Sequence, residues 1–136
     1  MLSPKKTKYR KSFKGRRSGK GVAATQTKVD FGSFGMKAMT EGWITSRQIE
    51  SARRVITKSF QKGGKIWIRL FPHKPVTKKG GEIGMGGGKG AVDHYVAVVK
   101  PGAILFELEG VDAAKAKSAM ESAGHKLPIK VKFVEK

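Results

Sequence analysis

The N-terminal segment of this chain is too positively charged and too poor in apolar side chains to fold on its own. Its first 29 residues carry ten lysines and arginines and no aspartate or glutamate, and the first acidic residue is Asp30. Such a segment repels itself and buries little apolar surface. We therefore expect residues 1–27 to form an extended basic arm that lies against a dense polyanion, a description that nucleic acid fits best.

The positive charge is concentrated in the first two thirds of the chain. The 136 residues carry a net charge of +19, with 22 basic and four acidic side chains in residues 1–90 but seven and six in residues 91–136. This imbalance is typical of a nucleic-acid-binding protein and predicts that the last third is scaffold. The arm cations predicted to contact nucleic acid are Lys5, Lys6, Lys8, Arg10, Lys11, Lys14, Arg16, Arg17 and Lys20.

Several classes of site are disfavoured by what the sequence lacks. The chain has no cysteine, which excludes disulfides, thiolate catalysis and cysteine-based zinc sites. His73, His94 and His125 are scattered without ligand spacing, and no apolar run approaches the roughly 20 residues of a membrane span. Glu107 and Glu109 are expected to be surface residues. We therefore predict no catalytic site, no metal, no cofactor and no membrane partner.

The hydrophobic pattern predicts a single α+β domain over residues 28–136. Strands are predicted over 28–39, 65–71, 92–100, 103–110 and 127–135, and helices over 45–62 and 113–123. The order β-α-β-β-β-α-β favours two helices packed on a mostly antiparallel sheet. A turn at Pro101–Gly102 predicts that the third and fourth strands form a hairpin, and Trp43 and Trp67 are expected in the core.

The first helix has the clearest pattern in the chain. Thr45 and Gln48 form a T-x-x-Q capping box, and Gly63–Gly64 is expected to end the helix. One apolar stripe is expected to face the sheet: Ile49, Ala52, Ile56 and Phe60. The basic face expected to meet a partner comprises Arg47, Arg53, Arg54 and Lys58. For the second helix we predict an N-cap at Asp112 and a terminating glycine at Gly124.

Residues 77–91 form a loop with seven glycines and three lysines. It superficially resembles a phosphate-binding loop, but the Walker A spacing would require glycine at Ile83 and serine or threonine at Gly90. The dinucleotide-binding pattern fails as well, because it would require glycine at Lys89. Two interpretations stay open: a loop without bulky side chains that enters a polyanionic crevice, and a simple connector.

Two aromatic residues, Tyr9 and Phe13, are interleaved with the charges of the arm. They are candidates for stacking on unpaired bases. The alternative is that they pack on the surface of the protein itself.

Several motifs in order resemble the L-sixteen family of large-subunit ribosomal proteins of bacterial type, over essentially the whole chain. They are MLSPKKTKYRK at 1–11, FGSFG at 31–35, TSRQIESARR at 45–54, GKIWIR at 64–69, FPHKP at 71–75, MGGGKG at 85–90 and LPIK at 127–130. The resemblance implies an α/β-hammerhead type of fold. It also implies that RNA, and not this protein, performs the peptidyl-transfer chemistry.

The resemblance further implies binding to 23S-type ribosomal RNA, neighbouring large-subunit proteins, and a cytoplasmic ribosome as the location. It implies contact with A-site tRNA, with P-site tRNA as a second candidate, and a role in late subunit assembly. The tRNA-proximal loop residues would be Lys78, Lys79, Met85, Gly86, Gly88, Lys89 and Gly90. One departure is Gly84, where the family usually has an arginine that some bacteria hydroxylate; this chain should lack that modification.

Two other functions compete with a ribosomal role. Charge alone permits a free-standing DNA-binding protein, although no helix-turn-helix or zinc finger is visible in the sequence. An enzyme that uses the glycine loop on a nucleotide is disfavoured by both spacing failures.

Overall fold

The computed structural model describes residues 1–15, 20–60 and 63–136. Within these ranges the chain forms seven strands and two helices. In chain order they are β1 (Phe34–Ala38), β2 (Gly42–Thr45), α1 (Ser46–Lys58), β3 (Lys65–Ile68), β4 (Lys74–Lys78), β5 (Ala91–Val99), β6 (Ile104–Glu109), α2 (Ala113–Gly124) and β7 (Val131–Glu135). The described arm residues contain no strand or helix.

The strands divide into two antiparallel sheets. The four-stranded sheet has the order β3-β6-β1-β7, and the three-stranded sheet has the order β2-β5-β4. α1 and α2 pack on each other, α2 also contacts β1 and β7, and α1 contacts β2 and β5. The α+β class with two helices is therefore confirmed, with the strands in two sheets where the sequence suggested one.

The predicted hairpin between the third and fourth strands is wrong. β5 already has β2 and β4 on its two edges, and β6 has β1 and β3. A turn does occur at Pro101–Gly102, but there the Gly102 N–H donates to the Ala38 carbonyl at 2.7 Å. The chain thus crosses at this turn from one sheet to the other.

Strand boundaries differ from the prediction mainly at strand starts. The segment predicted as a strand over 28–39 becomes regular only at Phe34, and the last strand begins at Val131. β4 was missed because it contains Pro75, which removes a backbone donor. Pro75 nevertheless pairs with Tyr95, and β4 is an edge strand, where a missing donor is tolerated.

The start of α1 confirms the predicted capping box. The Gln48 N–H donates to Thr45 Oγ1 at 3.3 Å, and the Thr45 N–H donates to Gln48 Oε1 at 2.9 Å. Ile49, Ala52 and Ile56 are buried as expected. The helix ends at Lys58, four residues before the predicted end.

The end of α2 corrects the expected role of Gly124, which lies inside the helix as its last residue. A Cβ at Gly124 would lie 2.4 Å from Val131 Cγ2, so the glycine permits close packing of α2 on β7. Asp112 occupies the N-cap position, but its side chain makes no capping hydrogen bond.

The core lies between the two helices and the inner faces of both sheets. Its largest fully buried side chains include Met36, Ile44 and Phe106. Trp43 and Trp67, expected in the core, are only half-buried. The Trp67 ring instead stacks at the surface on Phe31, with 6.2 Å between ring centroids.

Candidate nucleic-acid interface

The arm returns to the body of the protein and contacts both β4 and the glycine loop. The Lys74 ammonium donates to the Lys14 carbonyl at 2.7 Å, and the Lys11 ammonium donates to the Lys89 carbonyl at 3.0 Å. Leu2, at the far end of the arm, packs against the core. The arm and the loop therefore belong to one surface.

Most of the predicted arm cations point to solvent. Lys5, Lys6, Lys8, Arg10, Lys14 and Lys20 are exposed, and Lys11 is half-buried. The predicted contacts at Arg16 and Arg17 lie outside the described residues. Tyr9 is 72% exposed and Phe13 is 90% exposed, so the alternative that they pack on the protein's own surface is wrong.

The base of the arm is tied to the turn between the sheets. The Ala23 N–H donates to the Pro101 carbonyl at 2.9 Å, and the Ile104 N–H donates to the Gln26 carbonyl at 2.8 Å. Gln26 has a φ of 56°, a left-handed conformation that is uncommon for a residue other than glycine. These bonds set the place where the arm leaves the folded domain.

A buried ion pair fixes the segment that follows. Glu107, expected at the surface, is fully buried, and its Oε1 accepts hydrogen bonds from Phe31 N–H at 2.8 Å and Gly32 N–H at 3.1 Å. Arg69 Nη1 lies 2.9 Å from Glu107 Oε2 and donates to the Lys28 carbonyl at 2.7 Å. Glu109 is exposed as expected. Glu107 is buried because the central strand β6 carries neighbours on both edges and the 28–33 segment above it.

The outer face of α1 has the predicted basic stripe. Arg47, Arg54 and Lys58 are exposed, opposite the buried apolar stripe. Thr45, Ser46 and Arg47 line a cavity of about 380 Å³ with Asp93 and His94 at the start of β5. The start of α1 therefore lies near the first residues of β5, which directly follow the glycine loop in the chain.

Glu50 engages two of the predicted RNA-binding arginines. Arg53 Nε donates to Glu50 Oε2 at 3.0 Å, and Arg54 Nε donates to Glu50 Oε1 at 3.3 Å. The Arg53 hydrogen bond is the largest cause that lowers the pKa of Glu50 from 4.5 to about 2, and it raises the pKa of Arg53. Glu50 thus holds both guanidinium groups on the helix surface while it offsets part of their charge.

The glycine loop has a defined shape within its described residues. The Lys79 ammonium donates to the Gly86 carbonyl at 2.6 Å, and Gly86, Gly87 and Gly88 all have positive φ. Such a backbone favours glycine over any other residue. Met85 is 97% exposed at the tip. Lys78, predicted in the loop, is the last residue of β4.

Gly90 closes the loop under the side chain of Lys79. A Cβ at Gly90 would lie 2.9 Å from Lys79 Cγ and 3.0 Å from the Lys78 carbonyl oxygen. The structure therefore brings Lys11, Lys79 and Lys89 together. The hydrogen bond of Lys11 links the arm to the loop, and that of Lys79 lies within the loop. Neither of these two bonds involves Arg54 or Lys58 on α1.

Sequence reasoning missed the contributions of Lys74 and Arg69 to this surface. Arg69 lies within the strand predicted over 65–71, and Lys74 begins β4. Only the fold shows that both hold backbone carbonyls of the arm or its base. Among the described residues, no group of three or more histidine, aspartate or glutamate side chains could hold a metal ion. No helix in the described ranges is long and apolar enough to cross a membrane.

Comparison with known proteins identifies the family. Residues 4–134 match the family described as "Ribosomal protein L16p/L10e". The chain is also similar to the "Large ribosomal subunit protein uL16" of Sulfurihydrogenibium sp. (strain YO3AOP1). The two are 56% identical over 135 residues, which cover 99% of this chain and 96% of that protein. The chain belongs to the L16p/L10e family.

The match to the L16p/L10e family spans the arm from Pro4, both helices and the glycine loop. The resemblance inferred from the motifs is therefore confirmed. The L16p/L10e family is one of structural proteins of the ribosome, so the interpretation of the glycine loop as part of an enzyme is set aside.

Proposed function

We propose that this protein is a constituent of the large ribosomal subunit that binds 23S-type ribosomal RNA and contacts tRNA near the A site. Membership of a ribosomal protein family over residues 4–134 supports the assignment to the large ribosomal subunit, as does the name of its 56% identical relative. The proposed binding of ribosomal RNA and tRNA rests mainly on the hydrogen bond between the Lys11 ammonium and the Lys89 carbonyl. It joins the arm and the glycine loop into one basic surface.

The arm and the α1 stripe are the elements proposed to bind ribosomal RNA. Most of the described ammonium and guanidinium groups are exposed, with Lys11 and Arg53 half-buried, so they can replace condensed counterions on phosphates with little rearrangement of the body. The described arm residues form no helix or strand, and the phosphate contacts that the arm makes on binding offset the accompanying decrease in its conformational entropy. Arg53 and Arg54, already oriented by Glu50, lose less entropy than free side chains would.

The glycine loop is the element proposed to approach tRNA. Between Lys79 and Lys89 it carries few bulky side chains, and its positive-φ glycines keep the backbone narrow. Such a loop fits between two RNA surfaces that repel each other. We extend the proposal to P-site tRNA, to late subunit assembly and to contacts with neighbouring large-subunit proteins, as the family resemblance implies.

Fractionation of a cell lysate on a density gradient, before and after a high-salt wash, tests the subunit assignment. We expect the protein to migrate with the large subunit and to stay there after the wash, because a resident protein is also held by packing against RNA and neighbouring proteins, whereas salt releases a protein that is held by phosphate contacts alone. Migration only with lighter particles or with free protein would contradict residence in the subunit.

A loop replacement tests the tRNA proposal separately. Lys78 pairs with Ala91, so residues 79–90 can be replaced by Asn-Gly, which closes a tight hairpin and keeps the β4–β5 register. We expect ribosomes with this variant to assemble the large subunit at least in part and to bind A-site tRNA more weakly. Normal tRNA affinity and normal translation would show that the loop is only a connector.

A further inference from the structure

A cavity of about 360 Å³ lies between the arm and the outer face of the three-stranded sheet. Its lining includes Ser12, Lys14, Trp43, Lys74, Val76 and Lys89. It therefore takes residues from the arm, from β2 and β4, and from the end of the glycine loop. A volume of this size lies within the range of small-ligand sites in proteins.

The floor of the cavity is apolar and includes an aromatic ring. Trp43 pairs with Val98 of β5, and Lys74 pairs with Val96. Residues paired across a sheet share a face, and Val96 and Val98 are two positions apart on β5, so Trp43 and Lys74 lie on the same face. Ile44 points the other way into the core, and it is fully buried. The half-buried indole of Trp43 is thus on the side that the arm covers.

The rim of the cavity is cationic and polar. The Lys74 ammonium lies 5.2 Å from the centroid of the Trp43 ring and also holds the Lys14 carbonyl. Lys14 and Lys89 add two further cations, and Ser12 and Thr77 add hydroxyl groups. An apolar floor with an aromatic side chain suits a nucleobase, and the three lysines suit the phosphates on either side of it.

We propose that this cavity binds one unstacked nucleotide of single-stranded RNA, with its base against Trp43 and its phosphates near Lys14, Lys74 and Lys89. The inference rests on the proposed function and adds a ligand to it: a splayed-out nucleotide in a loop, bulge or end of RNA. A base within a duplex is stacked on its neighbours and cannot enter a pocket closed on one side by the arm.

The chain offers an internal optical control, because it has two tryptophans in similar settings. The Lys65 ammonium lies 5.0 Å from the Trp67 ring centroid, as Lys74 lies over Trp43, but Trp67 lies on the other sheet. The full-length variant Trp67→Phe reports on Trp43 alone, and Trp43→Phe reports on Trp67 alone. RNA binding itself is followed independently, by the anisotropy of a dye on the RNA.

The probe is an unstructured single-stranded RNA of about ten nucleotides, compared with a duplex of the same strand length and with the mononucleotide UMP. We expect the single strand to quench Trp43 in Trp67→Phe and to leave Trp67 nearly unchanged in Trp43→Phe. We expect the duplex to bind, as seen by anisotropy, without quenching Trp43. Equal quenching by UMP and by the single strand would assign the cavity to free nucleotides and overturn the RNA assignment.

A second pair of variants separates stacking from folding. Trp43→Leu keeps an apolar side chain and should weaken single-strand binding about tenfold, whereas Trp43→Phe keeps an aromatic ring and should retain most of the affinity. Duplex affinity should be the same in both. RNA binding without a Trp43 signal, or equal affinity of the Leu and Phe variants, would overturn the nucleotide site and leave the proposed function intact. Failure of every RNA to bind would overturn both.

Discussion

Glu107 shows how one residue can secure the connection between a charged arm and a folded domain. It is fully buried, yet it carries an acidic group that accepts two backbone hydrogen bonds and faces Arg69. A buried carboxylate is tolerated only when such partners compensate the loss of water. The alternation of β6 predicted a surface position for it, because the pattern cannot show that the 28–33 segment covers this face of the sheet.

We predict that Glu107→Ala destabilises the protein by about 3–5 kcal/mol. The change leaves Arg69, whose side chain is 9% exposed, with only the exposed Asp30 at 3.4 Å as an ionic partner, and it leaves the N–H groups of Phe31 and Gly32 unsatisfied. Urea unfolding measures the decrease in stability. The matched control is Glu109→Ala, an exposed position on the same strand, which should cost less than about 0.5 kcal/mol. Similar costs for the two variants would disprove the buried anchor.

Glu50 gives the stability of α1 a specific pH dependence. Its pKa is lowered to about 2 in the folded protein, so its pairing with Arg53 and Arg54 stabilises the fold above about pH 4.5 and is lost as the pH falls through about 2. We therefore expect the stability difference between wild type and Glu50→Gln to grow from pH 2 to pH 5 and then to stay constant. Urea unfolding at several pH values measures it. A difference independent of pH would contradict the pairing.

At the scale of elements, the two helices begin with different capping chemistry. Thr45 and Gln48 cap α1 reciprocally, whereas the side chain of Asp112 makes no capping hydrogen bond to α2. We predict that Thr45→Ala costs about 1 kcal/mol of unfolding free energy and that Asp112→Ala costs less than half of that. Thermal or urea unfolding compares the pair. Equal costs would show that the reciprocal bonds contribute little.

The contact of α2 with β7 depends on a residue without a side chain. Alanine is favoured over glycine inside a helix by about 1 kcal/mol, but a Cβ at Gly124 would lie 2.4 Å from Val131 Cγ2. We predict that Gly124→Ala destabilises the protein by about 1–2 kcal/mol, because overpacking outweighs the gain in helix propensity. In a Val131→Ala background the same change should cost much less. If the losses of unfolding free energy from Gly124→Ala and Val131→Ala simply added in the double variant, the proposed contact between the two positions would be disproved.

Local signals predicted elements better than they predicted pairing. The capping box and the apolar stripe of α1 are short-range features, and both are confirmed. The predicted pairing of β5 with β6 is wrong, because a turn such as Pro101–Gly102 is equally compatible with a hairpin and with a crossing between sheets. The same limit applies to the candidate site: charge predicted that the arm and loop are basic, but only the fold shows that Lys11 reaches Lys89.

At the scale of the whole molecule, the division of charge along the sequence becomes a division in structure. The arm, α1 and the glycine loop all come from residues 1–90, which hold 22 of the 29 lysines and arginines. β5, β6 and α2 come from the nearly balanced remainder and supply much of the buried core. The last third therefore serves mainly as support for a surface that the first two thirds supply.

The salt dependence of RNA binding tests whether the position of the charge matters or only its amount. Replacing Lys5, Lys6 and Lys8 by glutamine removes three exposed cations of the arm, and replacing Lys115, Lys117 and Lys126 removes three exposed cations from α2 and the turn that follows it. Both variants have the same net charge. Removing one lysine that touches a phosphate should lower the slope of log K against log salt by about 0.7–0.9.

We therefore expect the slope for a ribosomal RNA fragment to fall by about 2–3 in the arm variant and by less than about 1 in the α2 variant, as measured by a salt titration of affinity. The difference arises because only cations that sit on phosphates release counterions, whereas distant ones are screened within about 10 Å at 0.1 M salt. Equal slopes in the two variants would mean that net charge attracts the protein to RNA without a defined arm interface.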